Sequence, residues 1–302
     1  MKILISGATG LIGSELVDVL LKNNHSVHYL TTSAKKIQNK PNYHGFYWNP
    51  QEGKIDDNCI EGVDVIVHLA GASISKRWTD SYKLELIESR VLSANLLFNL
   101  LKKATNHKVK QYISASGTAL YPDSYSKIYD EAATEIDLSF LSNVVLKWEE
   151  SADQFNLFHI KVAKLRTGIV FSEKGGALLE MIKPIKMFVG SGFGSGKQMQ
   201  SWIHLTDVAH LYYFVIQNQI EGIINAVSPN PISNQDLTKA IAKRLKRPLF
   251  LPNIPQFVMK LILGEMHSLL FSNKNIVPKK ATELGFKFKF PSIKEALENI
   301  IK

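Results

Sequence analysis

The sequence predicts an α/β protein with a doubly wound parallel sheet and a small α+β region near its C-terminal end. Short apolar runs alternate with stretches of helical spacing through residues 2–171. A glycine-rich turn joins the first apolar run to the first helical stretch. A segment with three prolines, residues 248–255, marks a boundary before the last part of the chain.

The apolar runs are interpreted as strands because they are short and bounded by turn residues. The predicted strands are 2–6, 26–31, 45–48, 64–69, 110–114 and 161–171. The predicted helices between and after them are 11–22, 81–103, 146–155 and 206–217. Since strands that are separated by helices pair in parallel with right-handed crossovers, most of the topology follows.

Two domains are predicted. Residues 1–235 form a dinucleotide-binding domain, with segments on the substrate side at 172–205 that include the glycine-rich loop 190–196. Residues 248–298 form a small C-terminal domain. Within and around it we expect helices near 256–272 and 278–284, a strand near 286–290 and a last helix over 292–301.

Charge and cysteine content limit the class of protein. The formal net charge of +9 arises wholly in residues 239–302, which hold 13 Lys/Arg and 4 Asp/Glu. We interpret this excess as a solvated lysine surface, with an anionic partner as the alternative, and expect no nucleic acid. One cysteine, Cys59, permits no intrachain disulfide. With no signal peptide or apolar span, the expected location is cytoplasmic, without membrane partners.

The glycine-rich turn has the context of a phosphate-binding loop. Gly7, Gly10 and Gly13 follow a strand and open a helix. In this pattern the first glycine allows a tight turn, the second lets the backbone approach a pyrophosphate and the third lets the helix pack closely. The helix N-terminus attracts the phosphates. The sequence therefore predicts a Rossmann sheet whose cofactor contacts include Gly7, Thr9, Gly10, Leu11, Ile12 and Gly13.

The end of the second strand favours NADP over NAD. An acid about 20 residues past the glycines would bind the ribose 2′-hydroxyl of NAD. Residues 31–36 instead read Thr-Thr-Ser-Ala-Lys-Lys, with hydroxyls and cations but no carboxylate. A 2′-phosphate would meet donors there and no repulsion.

Longer motifs resemble those of the extended and atypical short-chain dehydrogenase/reductases. They are His68-Leu69-Ala70-Gly71-Ala72, Ser114-Ala115-Ser116, Lys147-Trp148-Glu149, Ser201-Trp202-Ile203-His204 and Leu263-Gly264-Glu265-Met266, together with the glycine loop. The combination resembles the NAD-dependent epimerase/dehydratase-like "epimerase family protein" group, which carries a C-terminal domain of unknown function. The resemblance implies cofactor contacts at Thr31, Thr32, Leu69, Ala70, Gly71, Glu85, Arg90 and Val170. Members usually carry arginine where this chain has Thr32.

The catalytic residues are predicted by position. Short-chain dehydrogenases usually use a tyrosine and a lysine four residues later, but the chain has no Tyr-x-x-x-Lys, and Val144 and Trp148 occupy the expected places. The resemblance implies that the epimerase group as a whole lacks the pair. Ser116 stands where relatives keep a catalytic serine, although it could simply cap the strand end. Tyr121 is the best substitute acid, although it could pack beneath the loop.

Candidate substrate contacts are Arg77, Trp78, Trp202 and His204. An arginine beside a tryptophan suits an anionic or planar ligand, while the tryptophans could equally be core residues. The nine histidines do not cluster, so no metal site is predicted.

Two functions remain open at this stage. The first is an NADP-dependent oxidoreductase or epimerase for a small polar substrate, with sugar- or nucleotide-linked compounds as candidates. The second is a cofactor sensor or scaffold without chemistry, in line with the missing pair and with relatives labelled as cell-division factors. The helix at 81–103 could pair two copies into a homodimer.

Overall fold

The computed structural model describes residues 1–302, and a mostly parallel sheet runs through its centre. The strands are β1 Lys2–Ser6, β2 Ser26–Thr31, β3 Asn39–Lys40, β4 Tyr43–Asn49, β5 Lys54–Ile55, β6 Val65–His68, β7 Gln111–Gly117, β8 Lys161–Thr167, β9 Ile169–Phe171, β10 Met199–Gln200, β11 Trp202–His204, β12 Gly222–Ala226 and β13 Ile232–Ser233. The helices are α1 Leu11–Lys22, α2 Asp80–Lys103, α3 Phe140–Asp153, α4 Ala177–Lys186, α5 Leu205–Gln217, α6 Asn234–Leu245, α7 Gln256–Leu263, α8 Ser268–Phe271, α9 Lys279–Glu283 and α10 Ile293–Ile300.

The strand order of the sheet is β12-β8-β7-β6-β1-β2-β4-β3, with β5 paired to β4. All neighbours from β12 to β4 are parallel, and only the short β3 and β5 run antiparallel. The chain moves outward from β1 to β2 and β4, and then returns to place β6 on the other side of β1. That reversal opens a crevice at the carboxyl ends of β1 and β6.

Apolar layers cover both faces of the sheet, as parallel strands require. On one face, α1 and α5 pack against β1, β2 and β8 in a cluster of 26 buried residues. On the other, α2 and α3 contribute to a cluster of 16 buried residues with Tyr112 and Phe155 stacked at 3.6 Å between ring centroids. The predicted α/β class and doubly wound topology are therefore confirmed.

The C-terminal helices complete a third apolar core. It joins Phe171 and Trp202 to Leu237 of α6 and Leu297 of α10. Asp207, at the start of α5, accepts hydrogen bonds from the backbone amides of Lys289 at 2.7 Å and Phe290 at 2.9 Å. Helices α4, α6 and α10 thus share one core with β9 and β11.

Several predicted elements are corrected. The expected strand at 286–290 is an irregular segment, because its amides at Lys289 and Phe290 bond to Asp207 and not to a neighbouring strand. The expected strand at 161–171 breaks at Gly168, after which β9 pairs with β11 in a separate sheet. Helix α3 begins at Phe140, six residues before the prediction, because Ser139 caps it. The prediction missed α4, α6 and β12.

Candidate active site

The crevice floor is a hydrogen-bonded unit of three buried side chains. Ser6 at the end of β1 lies opposite His68 at the end of β6, with Ser6 Oγ and His68 Nδ1 2.6 Å apart. Ser93 Oγ of α2 lies 3.0 Å from His68 Nε2. Burial lowers the pKa of His68 from 6.5 to about 4, so the ring is neutral at pH 7. The unit ties two strands and a helix together beneath the glycine loop.

The glycine loop forms a cradle in which positions 7 and 13 have no room for a side chain. Gly7 has a φ of 74°, and a Cβ there would lie 2.9 Å from the carbonyl carbon of Leu69. A Cβ on Gly13 would lie 2.2 Å from the Gly7 oxygen. No side chain caps α1 at Gly10, so the amides of its first turn are left for a ligand. The geometry fits a pyrophosphate, as the loop sequence predicts.

The other residues predicted for this loop take different places. Thr9 and Gly10 are exposed at the cradle rim, while Leu11 and Ile12 are half-buried and pack against the core beneath it.

At the end of β2 the two predicted threonines have different environments. Thr31 is buried, and its hydroxyl accepts a hydrogen bond from the Ser33 amide at 3.2 Å. Thr32 is exposed, as are Lys35 and Lys36 in the turn that follows. No Asp or Glu lies between residues 31 and 36. Hydroxyl and ammonium donors therefore face solvent beside the crevice with no carboxylate among them.

The loop after β6 lines the other side of the crevice. Leu69 and Ala70 are half-buried, and the Ala70 amide donates to Ser6 Oγ at 3.3 Å. Gly71 is exposed and lies against the Arg90 side chain, where a Cβ would be 3.2 Å from the guanidinium carbon. Val170, in β9, is half-buried and packs on the main core.

Arg90 is a buried cation without a carboxylate partner. Its guanidinium donates to the backbone oxygens of Leu86 at 2.7 Å and Ala72 at 3.2 Å, and Nε has no partner. The guanidinium lies 4.7 Å from the ring centroid of Trp148. Burial lowers the pKa of Arg90 to about 10. Glu85, predicted on the same helix, is exposed, and its side chain makes no hydrogen bond to the protein.

Ser116 belongs to a buried ionic network at the end of β7. Its hydroxyl donates to Glu149 Oε1 at 2.6 Å. Arg166 of β8 donates to the same carboxylate twice, from Nε to Oε1 at 2.8 Å and from a terminal nitrogen to Oε2 at 2.9 Å. Burial disfavours the charged form of Glu149, but the hydrogen bonds and charge of Arg166 lower its pKa below the ordinary value. The Ser116 hydroxyl therefore donates its hydrogen bond to a carboxylate that stays ionised.

The sequence did not predict Glu149 or Arg166 as parts of the site. Glu149 appeared in the sequence analysis only as part of the Lys-Trp-Glu motif. No motif included Arg166, which lies opposite Ser116 because β7 pairs with β8.

The prediction of Tyr121 as a proton donor is wrong in this structure. Tyr121 is 0% exposed, and its hydroxyl donates to Asn225 Oδ1 at 2.8 Å. Its ring packs 5.0 Å from the guanidinium of Arg166, and burial raises its pKa. With no exposed surface, the Tyr121 phenol does not face the crevice, and its ring packs on the Arg166 guanidinium beneath the network.

The places of the missing tyrosine and lysine are apolar. Val144 is buried in a cluster with Trp78 and Tyr82, and Met266 and Leu269 of the C-terminal region pack against that cluster. Val145, the next residue of α3, faces the strand end, because a Cβ on Gly117 would lie 3.2 Å from its methyl carbon. Met266 and Leu269 thus cover the position at which the short-chain dehydrogenase pattern predicts a tyrosine.

Three of the four predicted substrate contacts are buried. Trp78 donates its ring N–H to the Ile74 oxygen at 3.0 Å. Trp202 is 0% exposed, stacks on Phe171 and donates to the Asn230 oxygen at 2.9 Å. Both tryptophans are core residues, contrary to the prediction.

His204 is likewise a structural residue. Its Nδ1 accepts from the Thr206 amide at 3.1 Å, which caps α5, and its ring lies 4.0 Å from that of Phe290. Burial lowers its pKa to about 4. Of the predicted substrate residues, only Arg77 is exposed.

Two further observations concern ligands and location. No group of three or more His, Cys, Asp or Glu side chains is arranged to hold a metal ion. None of the helices combines the length and apolar character needed to span a bilayer.

Comparisons with known proteins agree with this architecture. Residues 3–140 match the model of the NAD dependent epimerase/dehydratase family, and residues 254–300 match a domain of unknown function, DUF1731. The chain is 35% identical to an epimerase family protein of Staphylococcus aureus (strain MRSA252), over 99% of this chain and 98% of that protein.

Two solved structures that are similar to this chain contain a nicotinamide dinucleotide. Human epimerase family protein SDR39U1, crystallised with NADPH, is 28% identical with a TM-score of 0.84, covering 99% of both chains. UDP-glucuronic acid 4-epimerase from Bacillus cereus, solved with UDP-glucuronic acid and NAD, is 20% identical with a TM-score of 0.76, covering 99% of this chain and 97% of that chain. The second likeness concerns the fold alone.

Proposed function

Because the chain belongs to the NAD-dependent epimerase/dehydratase family, we propose that it is an NADP-binding oxidoreductase or epimerase for a small polar substrate, sugar- or nucleotide-linked in class. The observation that carries the proposal is the glycine cradle, where Gly7 and Gly13 leave no room for a Cβ and the first turn of α1 has no side-chain cap. Such a cradle suits a pyrophosphate.

The preference for NADP rests on the end of β2. Thr32, Lys35 and Lys36 are exposed donors beside the crevice and would bind a 2′-phosphate. The NADPH bound to human SDR39U1 supports this choice. Leu69, Ala70, Gly71 and Arg90 would line the middle of the cofactor, and Val170 would border its nicotinamide half. When bound, the cofactor supplies the hydride donor or acceptor.

Ser116 is the proposed catalytic residue, and Glu149 and Arg166 position it. The Ser116 hydroxyl donates its hydrogen bond to Glu149 Oε1 at 2.6 Å. The lone pairs of Ser116 Oγ would therefore be free to accept a hydrogen bond from a substrate hydroxyl. The bidentate Arg166 keeps the carboxylate in one orientation. This network would orient a substrate hydroxyl in place of the missing tyrosine and lysine.

Binding and turnover are tested separately. Calorimetry with NADPH and NADH should give tighter binding of NADPH; binding of neither would refute the proposal. Absorbance of NADPH is then followed with a panel of carbonyl compounds, and nucleotide sugars are analysed chromatographically for epimerised product, because an epimerase returns the hydride and leaves the cofactor unchanged. Net oxidation or epimerisation by the unaltered chain that is lost in Ser116→Ala is the expected result.

A cofactor sensor without chemistry is the second candidate. It is favoured by Val144 and Trp148, which are buried where a proton donor and its lysine would stand. The same experiment separates the two functions, because a sensor would bind NADPH tightly, oxidise none of it and convert no nucleotide sugar across the panel.

A further inference from the structure

An apolar and basic surface lies at the C-terminal side of the molecule, and neither the fold nor the cofactor site uses it. Eight of the eighteen large apolar side chains that the chain exposes fall within residues 181–206 and 237–264. The same two stretches contain nine Lys/Arg residues and no Asp or Glu. We call this surface the basic apolar face.

The two stretches meet in space. The Ile254 amide donates to the Gly192 oxygen, and the Gly194 amide donates to the Ile254 oxygen, both at 2.9 Å. The guanidinium of Arg247 lies 4.6 Å from the ring centroid of Phe188. Helix α7 follows this junction directly, from Gln256. The loop that holds Phe188 and the segment 247–254 are therefore held together, and α7 extends from their junction.

The apolar side chains project outward. Phe250 is 73% exposed, Phe257 66% and Leu261 80%, and α7 has no buried residue. Side chains on the floor of a groove would be less exposed than these three. These side chains form a ridge, so an occupant need not have a matching shape.

The backbone at Phe188 is held in an unfavourable conformation. Phe188 has a φ of 63°, a left-handed conformation that bulky residues rarely adopt. Its ring remains 46% exposed beneath Arg247. Strained residues of this kind often mark functional positions.

Cations surround the ridge and lack acidic partners. Lys186, Lys243, Lys246, Arg247 and Lys260 are exposed, and none lies within 4.0 Å of a carboxylate. Lys183, one turn earlier in α4, is paired with Glu180. Two copies of this face would repel each other, whereas an anionic surface would be attracted.

We propose that the basic apolar face binds the surface of an anionic phospholipid bilayer. Protruding Phe and Leu side chains on a short helix and loops, surrounded by Lys and Arg, are the pattern by which proteins lie on membranes without spanning them. The proposal is independent of the cofactor site, and it replaces the sequence-based expectation that the protein has no membrane partner.

Sedimentation with vesicles tests this proposal on the full chain. One set of vesicles is phosphatidylcholine, and the other contains equal parts of phosphatidylcholine and phosphatidylglycerol. The protein should pellet with the second set at low salt and not with the first. No pelleting with either set overturns the proposal.

Two variants assign the binding to this face. Phe188→Gly with Phe257→Ser and Leu261→Ser removes the ridge, and glycine tolerates the φ of position 188, so folding is not penalised there. Lys243→Glu with Lys246→Glu reverses two cations. Each should weaken vesicle binding by about tenfold or more and leave NADPH affinity unchanged.

Matched variants elsewhere serve as controls. Leu138→Ser replaces a side chain that is 99% exposed, and Lys102→Glu with Lys108→Glu reverses two exposed cations. An equal loss in these controls would overturn the assignment to the basic apolar face. Polyglutamate is the third probe: if it binds as tightly as the vesicles and the ridge variant binds it unchanged, the face recognises an acidic protein segment and the lipid proposal is wrong.

Discussion

Glu149 and Arg166 form a two-point ion pair inside the protein, with side chains only 7% and 10% exposed and N–O distances of 2.8 and 2.9 Å. The pair connects α3 to β8, and it fixes the hydroxyl of Ser116 on β7. Such a pair adds little net stability over apolar residues, but its partial removal leaves an uncompensated charge.

The first prediction concerns the removal of one partner of this ion pair. Arg166→Met should lower the free energy of unfolding by about 3 kcal/mol, because Glu149 would stay buried without its bidentate partner, with only Lys164 Nζ at 3.7 Å as a remaining cation. Urea unfolding measures the change. Glu149→Leu combined with Arg166→Met should recover most of the loss, and a double variant less stable than Arg166→Met alone would contradict the argument.

The second prediction concerns pH. His68 has a pKa near 4 when folded and 6.5 when unfolded, so the unfolded chain takes up a proton first as the pH falls. The stabilising contribution is complete well above pH 6.5 and decreases toward pH 4. Between pH 8 and pH 5, His68 should reduce the free energy of unfolding by about 2 kcal/mol. His204, with a similar pKa, adds a loss of the same sign.

Urea unfolding at pH 8 and pH 5 tests this expectation. His68→Gln should make the difference between the two pH values smaller. An unaltered difference in His68→Gln would show that the neutral ring is not responsible.

The third prediction concerns the cradle. A side chain on Gly13 would collide with the Gly7 oxygen, since even a Cβ would lie 2.2 Å from it. Gly13→Val should therefore weaken NADPH binding at least about tenfold by moving the first turn of α1 away from the loop. Calorimetry measures the affinity, circular dichroism checks the fold, and Ser14→Ala is the control on the same helix. Unchanged affinity in Gly13→Val would place the cofactor elsewhere.

The fourth prediction concerns cofactor choice. Thr32→Asp puts a carboxylate at the end of β2, where it would repel a 2′-phosphate and accept a hydrogen bond from a 2′-hydroxyl. NADPH should bind about tenfold more weakly or worse, and NADH should bind at least as well as before. Thr105→Asp, at an exposed threonine after α2, should alter neither. A parallel loss for both cofactors would argue against a 2′-phosphate site here.

The sequence predicted best where function or burial leaves few alternatives. The glycine loop was found because a tight turn, close packing and a free helix N-terminus all require particular residues at fixed spacing. The central strands were found because strands buried on both faces are continuously apolar. The segment 286–290 misled the prediction, since an alternating Phe-Lys pattern looks like a strand when the chain actually bonds to Asp207.

The catalytic side was less predictable because its chemistry depends on contacts distant in sequence. Trp202, His204 and Tyr121 carry functional groups, but whether such a group faces a ligand or the core is decided by packing partners such as Phe171, Phe290 and Asn225. Arg166 carried no sequence signal at all. It became part of the site through the register of β7 and β8 alone.

The core shared by Phe171, Trp202, Leu237 and Leu297 also limits how the molecule can diversify. A graft that exchanged only the last fifth of the chain with a homologue's would mismatch side chains contributed by two earlier regions. New specificities should consequently arise through coordinated changes in all three regions rather than through the transfer of a self-contained module.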